Sequence, residues 1–294
     1  MASLNQYPNL AAMDANTSES LSASVGATGE AIQLVDQQVQ EISYAQIQGG
    51  FEGAKQMIAS IDEMKRAAAP WPTVKSVVQS AARQTVNAGP TAAALGDPVT
   101  DAATLAAELR KFSSEVLSGI VASYSSAESA FYNFSEGMNK AYRDSASANT
   151  EAEAAITREQ AQIDADIKAL QSREDDLKSA GSIILGILTL GASTTAQIIK
   201  LENQANDLRK EEERHKHELE YYQASLSAFK NAENSTKLAS YALDSVQNAL
   251  QQAANSVDDM VANSSTNLAV MQAYVTQFKE QFAGAVTNAQ KLLE

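Results

Sequence analysis

The distribution of proline most constrains the fold of this 294-residue chain. All five prolines lie in its first third, and residues 99–294 contain none. Because proline breaks helix interiors and punctuates turns, its absence over so long a stretch predicts very long helices. Strand-like alternation of apolar and polar residues occurs nowhere over a useful length. We therefore predict an all-α chain.

The apolar residues beyond the last proline recur at the spacing of paired helices. Repeats of seven residues, typical of a coiled-coil seam, occur in two stretches, namely Ile156, Ile163, Leu170 and Leu177, then Val261, Leu268, Val275 and Phe282. Two long helices joined by a short connector pack most simply as an antiparallel hairpin. The pattern predicts an elongated bundle of long antiparallel, coiled-coil-like helices with a short hydrophobic head at one end.

Changes in composition divide the predicted bundle into four segments. They are 1–100, the N-terminal helices; 101–179, a long helix; 180–199, the hydrophobic head; and 200–294, a long return helix. In the first segment, apolar spacing predicts a helix over about 17–69, with a kink or a close helix contact at its glycines, and another helix over 73–87. Thr100 is the predicted N-cap of the long helix that follows.

The connector between the long helices is the most informative segment. Between Lys178 and Lys200 the sequence carries no charge, whereas strongly charged sequence flanks it on both sides. A tip that joins two solvated helices is normally polar, so an apolar tip requires a burial partner. Six large aliphatic residues are the candidates for membrane insertion: Ile183, Ile184, Leu185, Ile187, Leu188 and Leu190.

Three glycines recur every five residues through this head and are its candidate hinges or turns: Gly181, Gly186 and Gly191. The dense apolar part, 183–192, would reach only ~15 Å as a helix, whereas the hydrocarbon core of a bilayer is ~30 Å thick. We therefore expect shallow insertion into one leaflet. The alternatives are an ordinary buried segment that another part of the chain covers, or a head that a homo-oligomer shields in solution and releases at a membrane.

Composition argues against several functional classes. The chain has 22 basic and 36 acidic residues and a net charge of −14, which disfavours nucleic-acid binding and general attraction to anionic lipid. It has no cysteine, and it lacks the phosphate-loop, dinucleotide-binding, serine-hydrolase and zinc-protease motifs. We predict neither an enzyme nor a cofactor or metal site. The N-terminus has no basic start or apolar run, so we expect a cytoplasmic protein or one secreted without a cleaved signal peptide.

Other conspicuous residues are interpreted as structural. Trp71 is expected to pack a turn against the bundle, and the aromatic cluster at 131–134 is expected to be core. His215 and His217 are two residues apart and face different sides of a helix, so they cannot bind one metal together. We expect a solvated, charged face there, with His215 as a candidate for a seam position.

Two long heptad-patterned helices around a short, charge-free, glycine-containing head resemble the α-helical pore-forming toxins related to cytolysin A. They are most similar to multi-component toxins of the haemolysin BL type. The resemblance implies a water-soluble bundle whose head inserts into a target membrane, with subunits that assemble into a lytic pore. It also implies a lipid membrane and partner toxin subunits as binding partners. This head is shorter than is usual in the family, which favours one component of a tripartite toxin.

Two further functions are compatible with the same pattern. A type III secretion translocator also couples coiled coils to apolar segments, although its segments are usually long enough to span a membrane. A non-lytic coiled-coil scaffold would keep 180–199 as a buried tip. Membrane binding by the pure protein distinguishes a toxin from such a scaffold.

Overall fold

The computed structural model of the chain describes residues 15–51, 53–184, 191–264 and 267–294, with side chains described over 21–51, 53–176, 199–262 and 267–294. All regular structure within these residues is helical, which confirms the predicted all-α fold. The elements are α1 (Ala15–Tyr44), α2 (Ala54–Ala68), α3 (Trp71–Ala94), α4 (Ala102–Phe112), a π-helical turn (Ser113–Leu117), α5 (Ser118–Ile184), α6 (Gly191–Ser264) and α7 (Leu268–Leu293).

The two longest helices are α5, with 67 residues, and α6, with 74. Both lie in the proline-free part of the chain, where nothing removes an intrahelical hydrogen bond. Of the α5 seam positions that the seven-residue spacing predicts, Ile156 is 1% exposed and Ile163 is 6% exposed. Leu170 is half-buried, and the side chain of Leu177 lies outside the described residues. The prediction of long, coiled-coil-like helices is therefore confirmed.

The helix boundaries in the first third differ from the prediction. Residues 45–51 separate α1 from α2, and in this connection Gly50 and Gly53 adopt positive φ angles of 104° and 88°, which are incompatible with an α-helix. Helix α3 extends to Ala94 with Pro90 inside it, beyond the predicted end at residue 87. The predicted cap, Thr100, is also wrong. Asp101 is the N-cap of α4, and its carboxylate accepts a hydrogen bond from the Thr104 amide at 2.8 Å.

The return helix is divided in two. Asn267 caps α7 by accepting a hydrogen bond from the Val270 amide at 3.3 Å, and α6 ends at Ser264. The seven-residue repeat from Val261 to Leu268 therefore crosses a helix boundary. Polar residues with good capping side chains precede Leu268 and favour a new helix start there.

The chain forms two compact units. The terminal unit consists of the described residues of 1–40, 66–140 and 229–294, and the head-containing unit consists of the described residues of 41–65 and 141–228. In the terminal unit, Trp71 is 2% exposed and packs on Phe131 and Phe134, with ring centroids 5.8 and 5.6 Å away. Packing by Trp71 is confirmed. Tyr132, which was expected in the core, is 60% exposed, because consecutive residues on a helix are rotated by about 100° and Tyr132 therefore does not share the buried face with Phe131.

The terminal unit also buries a carboxylate. Glu233 of α6 is inaccessible to solvent and forms ion pairs with Lys230, at 3.2 Å, and with Lys237. Burial by itself would raise the pKa of Glu233, but the hydrogen bonds and charges of the two lysines outweigh it and lower the pKa below its ordinary value of 4.5.

A carboxyl group with a lowered pKa makes stability depend on pH. The contribution of Glu233 is fully present above pH 4.5 and is lost as the pH falls through its folded-state pKa. We expect the Glu233→Gln variant to lose less stability than the parent on acidification below pH 4.5, measured by urea unfolding at a series of pH values. Equal acid sensitivity in the two proteins would contradict this assignment.

Candidate membrane-binding site

The structure places the predicted head at the junction of α5 and α6. Gly181, Ile183 and Ile184 belong to the last turns of α5, and Gly191 begins α6. Their side chains lie outside the described residues. The remaining predicted site residues lie wholly outside the described part of the chain: Leu185, Gly186, Ile187, Leu188 and Leu190.

Below the head, α5 and α6 pair as the stem, which we define as residues 141–184 and 191–228. Glu153 accepts a hydrogen bond from Gln223 at 2.7 Å, and a Glu159 carboxylate oxygen lies 3.6 Å from Nδ1 of His215. The partners move in opposite directions along the two helices, so the stem is an antiparallel pair. His215 is fully buried in its seam, whereas His217 is exposed to solvent.

Tyr222 connects the stem to α2. Its hydroxyl lies 2.7 Å from Oγ of Ser60 and 3.0 Å from the carbonyl oxygen of Ser145. Burial raises the pKa of Tyr222, an effect that the hydrogen bond with Ser60 partly opposes. The hydroxyl therefore stays protonated and joins α2, α5 and α6 at one buried point.

The segment 45–53 covers the stem on its way into α2. Phe51 stacks on the His215 ring with 4.4 Å between centroids, and the Gln48 amide donates to the Glu218 carboxylate at 3.1 Å. A Cβ atom at Gly53 would lie 3.1 Å from the carbonyl oxygen of Ala152, so only glycine fits without displacement. The glycines Gly49, Gly50 and Gly53 predicted a kink or a close helix contact, and the approach of Gly53 to Ala152 of α5 is such a contact.

We expect Gly53→Ala to destabilise the head-containing unit more than Gly50→Ala does. Both glycines have positive φ angles, but nothing lies within 4 Å of a Cβ atom at Gly50. The difference should be about 1–3 kcal/mol, the usual cost of overpacking. Urea unfolding measures the total change in the free energy of unfolding, and hydrogen exchange over 45–53 shows whether the loss of stability is local. Equal destabilisation by the two substitutions would show that the close approach to Ala152 is unimportant.

Closer to the head, the stem has the burial pattern of a two-helix pair. Only seam residues are buried, represented by Ile163, Ile167 and Ala205. Leu170 and Leu208 are half-buried and line an open groove of about 510 Å³. Charged side chains, including Asp166, Arg173, Asp207 and Glu211, form its edges.

The described edge of the head is apolar and solvent-exposed. Ile199, the only side chain of 180–199 within the described set, is 51% exposed. Over the described residues, no helix combines the length and the hydrophobicity needed to cross a bilayer. The same residues contain no cluster of three or more side chains suited to holding a metal ion.

No protein-family model matches the chain, and a comparison with curated protein sequences gives no match. Solved structures do match. The AhlB pore of the tripartite α-pore-forming toxin AHL from Aeromonas hydrophila aligns with a TM-score of 0.71 and 12% identity, over 94% of this chain and 97% of that one.

Two toxin components from other bacteria have the same architecture. The SmhB pore of the tripartite toxin Smh from Serratia marcescens aligns with a TM-score of 0.65 and 8% identity, over 92% of this chain and 98% of that one. The HblL1 toxin component of Bacillus cereus aligns with a TM-score of 0.61 and 14% identity, over 93% and 96%. The resemblance to α-helical pore-forming toxins is therefore confirmed at the level of the fold.

Proposed function

We propose that this protein is a subunit of a pore-forming toxin that inserts its apolar head, residues 180–199, into one leaflet of a target membrane. The observation that carries the proposal is the uncharged head at the junction of two long, charged helices. The shared fold with components of tripartite toxins supports it. The protein acts by physical insertion and assembly, without catalysis.

Hydrophobic burial is sufficient to drive attachment. Each of the six large aliphatic residues of the head contributes roughly 1.5–3 kcal/mol when its side chain leaves water. That total exceeds the contribution of the few basic residues near the head, so an acidic protein can bind a membrane without electrostatic attraction. The glycines Gly181, Gly186 and Gly191 act as hinges or turns that let the head fold back within one leaflet.

Oligomerisation follows insertion in this proposal. A short head that reaches one leaflet does not complete a pore by itself, so other subunits are needed to cross the bilayer. AhlB and SmhB belong to tripartite toxins, which supports partner subunits for this chain as well. In solution, a homo-oligomer shields the head until a membrane is available.

Lysis of erythrocytes tests the proposal. The pure protein is applied alone and mixed with the products of adjacent genes, and haemoglobin release is compared with binding to the cells. We expect binding by the protein alone and full lysis only with its partners. A protein that neither binds membranes nor promotes lysis in any combination is not a toxin subunit.

A further inference from the structure

One lysine borders the head on each side, Lys178 in α5 and Lys200 in α6. Because α5 and α6 pair in an antiparallel way, the positions of the two lysines along the stem can be compared. From the pair Glu159 and His215, Lys178 is 19 residues along α5 and Lys200 is 15 residues back along α6. The difference of four residues corresponds to about 6 Å, or roughly one helical turn. The two lysines therefore stand at nearly the same level of the stem.

We propose that Lys178 and Lys200 form a collar that binds the phosphate groups of membrane lipids and fixes the depth at which the head stops. This inference rests on the proposed function, because it concerns the state in which the head is in the membrane. It assigns a ligand, the lipid phosphate, to two residues outside the apolar segment itself.

The length of the head matches such a collar. Helical residues 179–184 rise ~9 Å beyond Lys178, and residues 191–199 rise ~14 Å beyond Lys200. One leaflet contributes about half of a hydrocarbon core that is ~30 Å thick. When the head fills one leaflet, both lysines are at the boundary with the headgroups. Lysine suits this position because its alkyl stem tolerates apolar surroundings while its ammonium group reaches the phosphates.

An acidic belt lies directly behind the collar. Residues 173–176 have the sequence Arg-Glu-Asp-Asp, and Glu202 follows Lys200 by two positions. Asp175 and Asp176 are exposed. Carboxylates are repelled by phosphate and are costly to move into hydrocarbon, so the belt opposes deeper insertion. Its negative charge also cancels the long-range attraction of the lysines to anionic lipid. The lysines then interact with lipid only by direct contact with a phosphate group, which every phospholipid has.

The stem provides a matched control for the collar. Lys168 and Lys210 occupy the same relative positions on the two helices but lie ten residues farther from the head. We would compare Lys178→Gln/Lys200→Gln with Lys168→Gln/Lys210→Gln, using phosphatidylcholine vesicles. Since the chain has no cysteine, Thr189→Cys carries a single fluorophore whose depth is measured with quenchers placed along the lipid chains.

We expect the collar variant to bind vesicles about tenfold more weakly than the parent, because it loses both ammonium–phosphate contacts. Its fluorophore should also show a broader distribution of depths. The control variant should behave like the parent, and circular dichroism should show equal helix content in all three proteins.

Other outcomes overturn the collar. If both variants bind as tightly and as deeply as the parent, the lysines do not bind lipid phosphate, although the proposed function stands. If the parent binds no vesicle, the proposed function fails together with the collar. Excess inorganic phosphate should not release the protein from vesicles. If it does release the protein, the lysines bind a soluble anion instead of lipid phosphate.

Discussion

The double substitution Ile184→Asp, Leu188→Asp is expected to abolish binding to lipid vesicles while helix content stays unchanged. Each substitution removes roughly 1.5–3 kcal/mol of favourable burial and places a carboxylate in hydrocarbon, at a further cost of about 2.5–3.5 kcal/mol near the bilayer centre. Even if the new carboxylates move toward water, the loss is on the order of 5 kcal/mol, or more than a thousandfold in affinity. Vesicle flotation measures this loss of membrane binding.

The same charge change elsewhere serves as the control. Leu238 and Tyr241 of the terminal unit are 60% and 69% exposed, so aspartate at both positions should leave flotation unchanged. If the folded head variant floats with vesicles as well as the parent does, residues 180–199 are not the membrane-binding element. Loss of flotation in the control variant as well would instead indicate a general effect of added negative charge.

The largest loss of stability is expected from Trp71→Ala. Trp71 is buried against Phe131 and Phe134, and its indole Nε1 donates to the Asp36 carboxylate at 2.8 Å. Truncation of a buried tryptophan costs about 3–5 kcal/mol, because a cavity replaces the ring. Lys75 also pairs with Asp36, at 3.0 Å, so the carboxylate keeps one partner when the indole is removed.

The variant Trp71→Phe separates the contribution of ring packing from that of the hydrogen bond to Asp36. It keeps an aromatic ring in the site and removes the hydrogen bond to Asp36, so the expected loss is about 1–2 kcal/mol. Since Trp71 is the only tryptophan, unfolding is followed by circular dichroism instead of fluorescence. A cost for Trp71→Ala no larger than that for Trp71→Phe would mean that ring packing contributes little to the terminal unit.

Features that depend on local repetition were predictable from sequence. The seven-residue spacing identified Ile156 and Ile163 as buried seam positions because a long helix presents the same face at every repeat. The break before Leu268 was not found, because apolar spacing continues across it and only the capping side chain of Asn267 marks a new helix. Spacing therefore identifies the helical faces more reliably than the ends of the helices.

Features that depend on distant segments were not predictable. His215 is buried because Phe51, 164 residues earlier in the chain, stacks on it, and no local pattern near His215 indicates that partner. Tyr132 looked like core because it adjoins Phe131, but adjacent residues on a helix point in different directions. The head needed no such partner to be proposed, because an uncharged segment within charged sequence is conspicuous without knowledge of its contacts; its role stays a prediction.

One part of the stem is covered by Phe51 and α2, whereas the part nearer the head has the burial pattern of a two-helix pair. This difference has a mechanical consequence. Bending stiffness of a rod rises steeply with its cross-section, so the part of the stem that Phe51 and α2 cover resists bending more than the part near Leu170 and Leu208. Thermal bending within the head-containing unit is therefore concentrated next to the head. In the proposed membrane-bound state, a compliant segment there would let the head follow the undulations of a fluid surface without strain on the Tyr222 contacts farther down the stem.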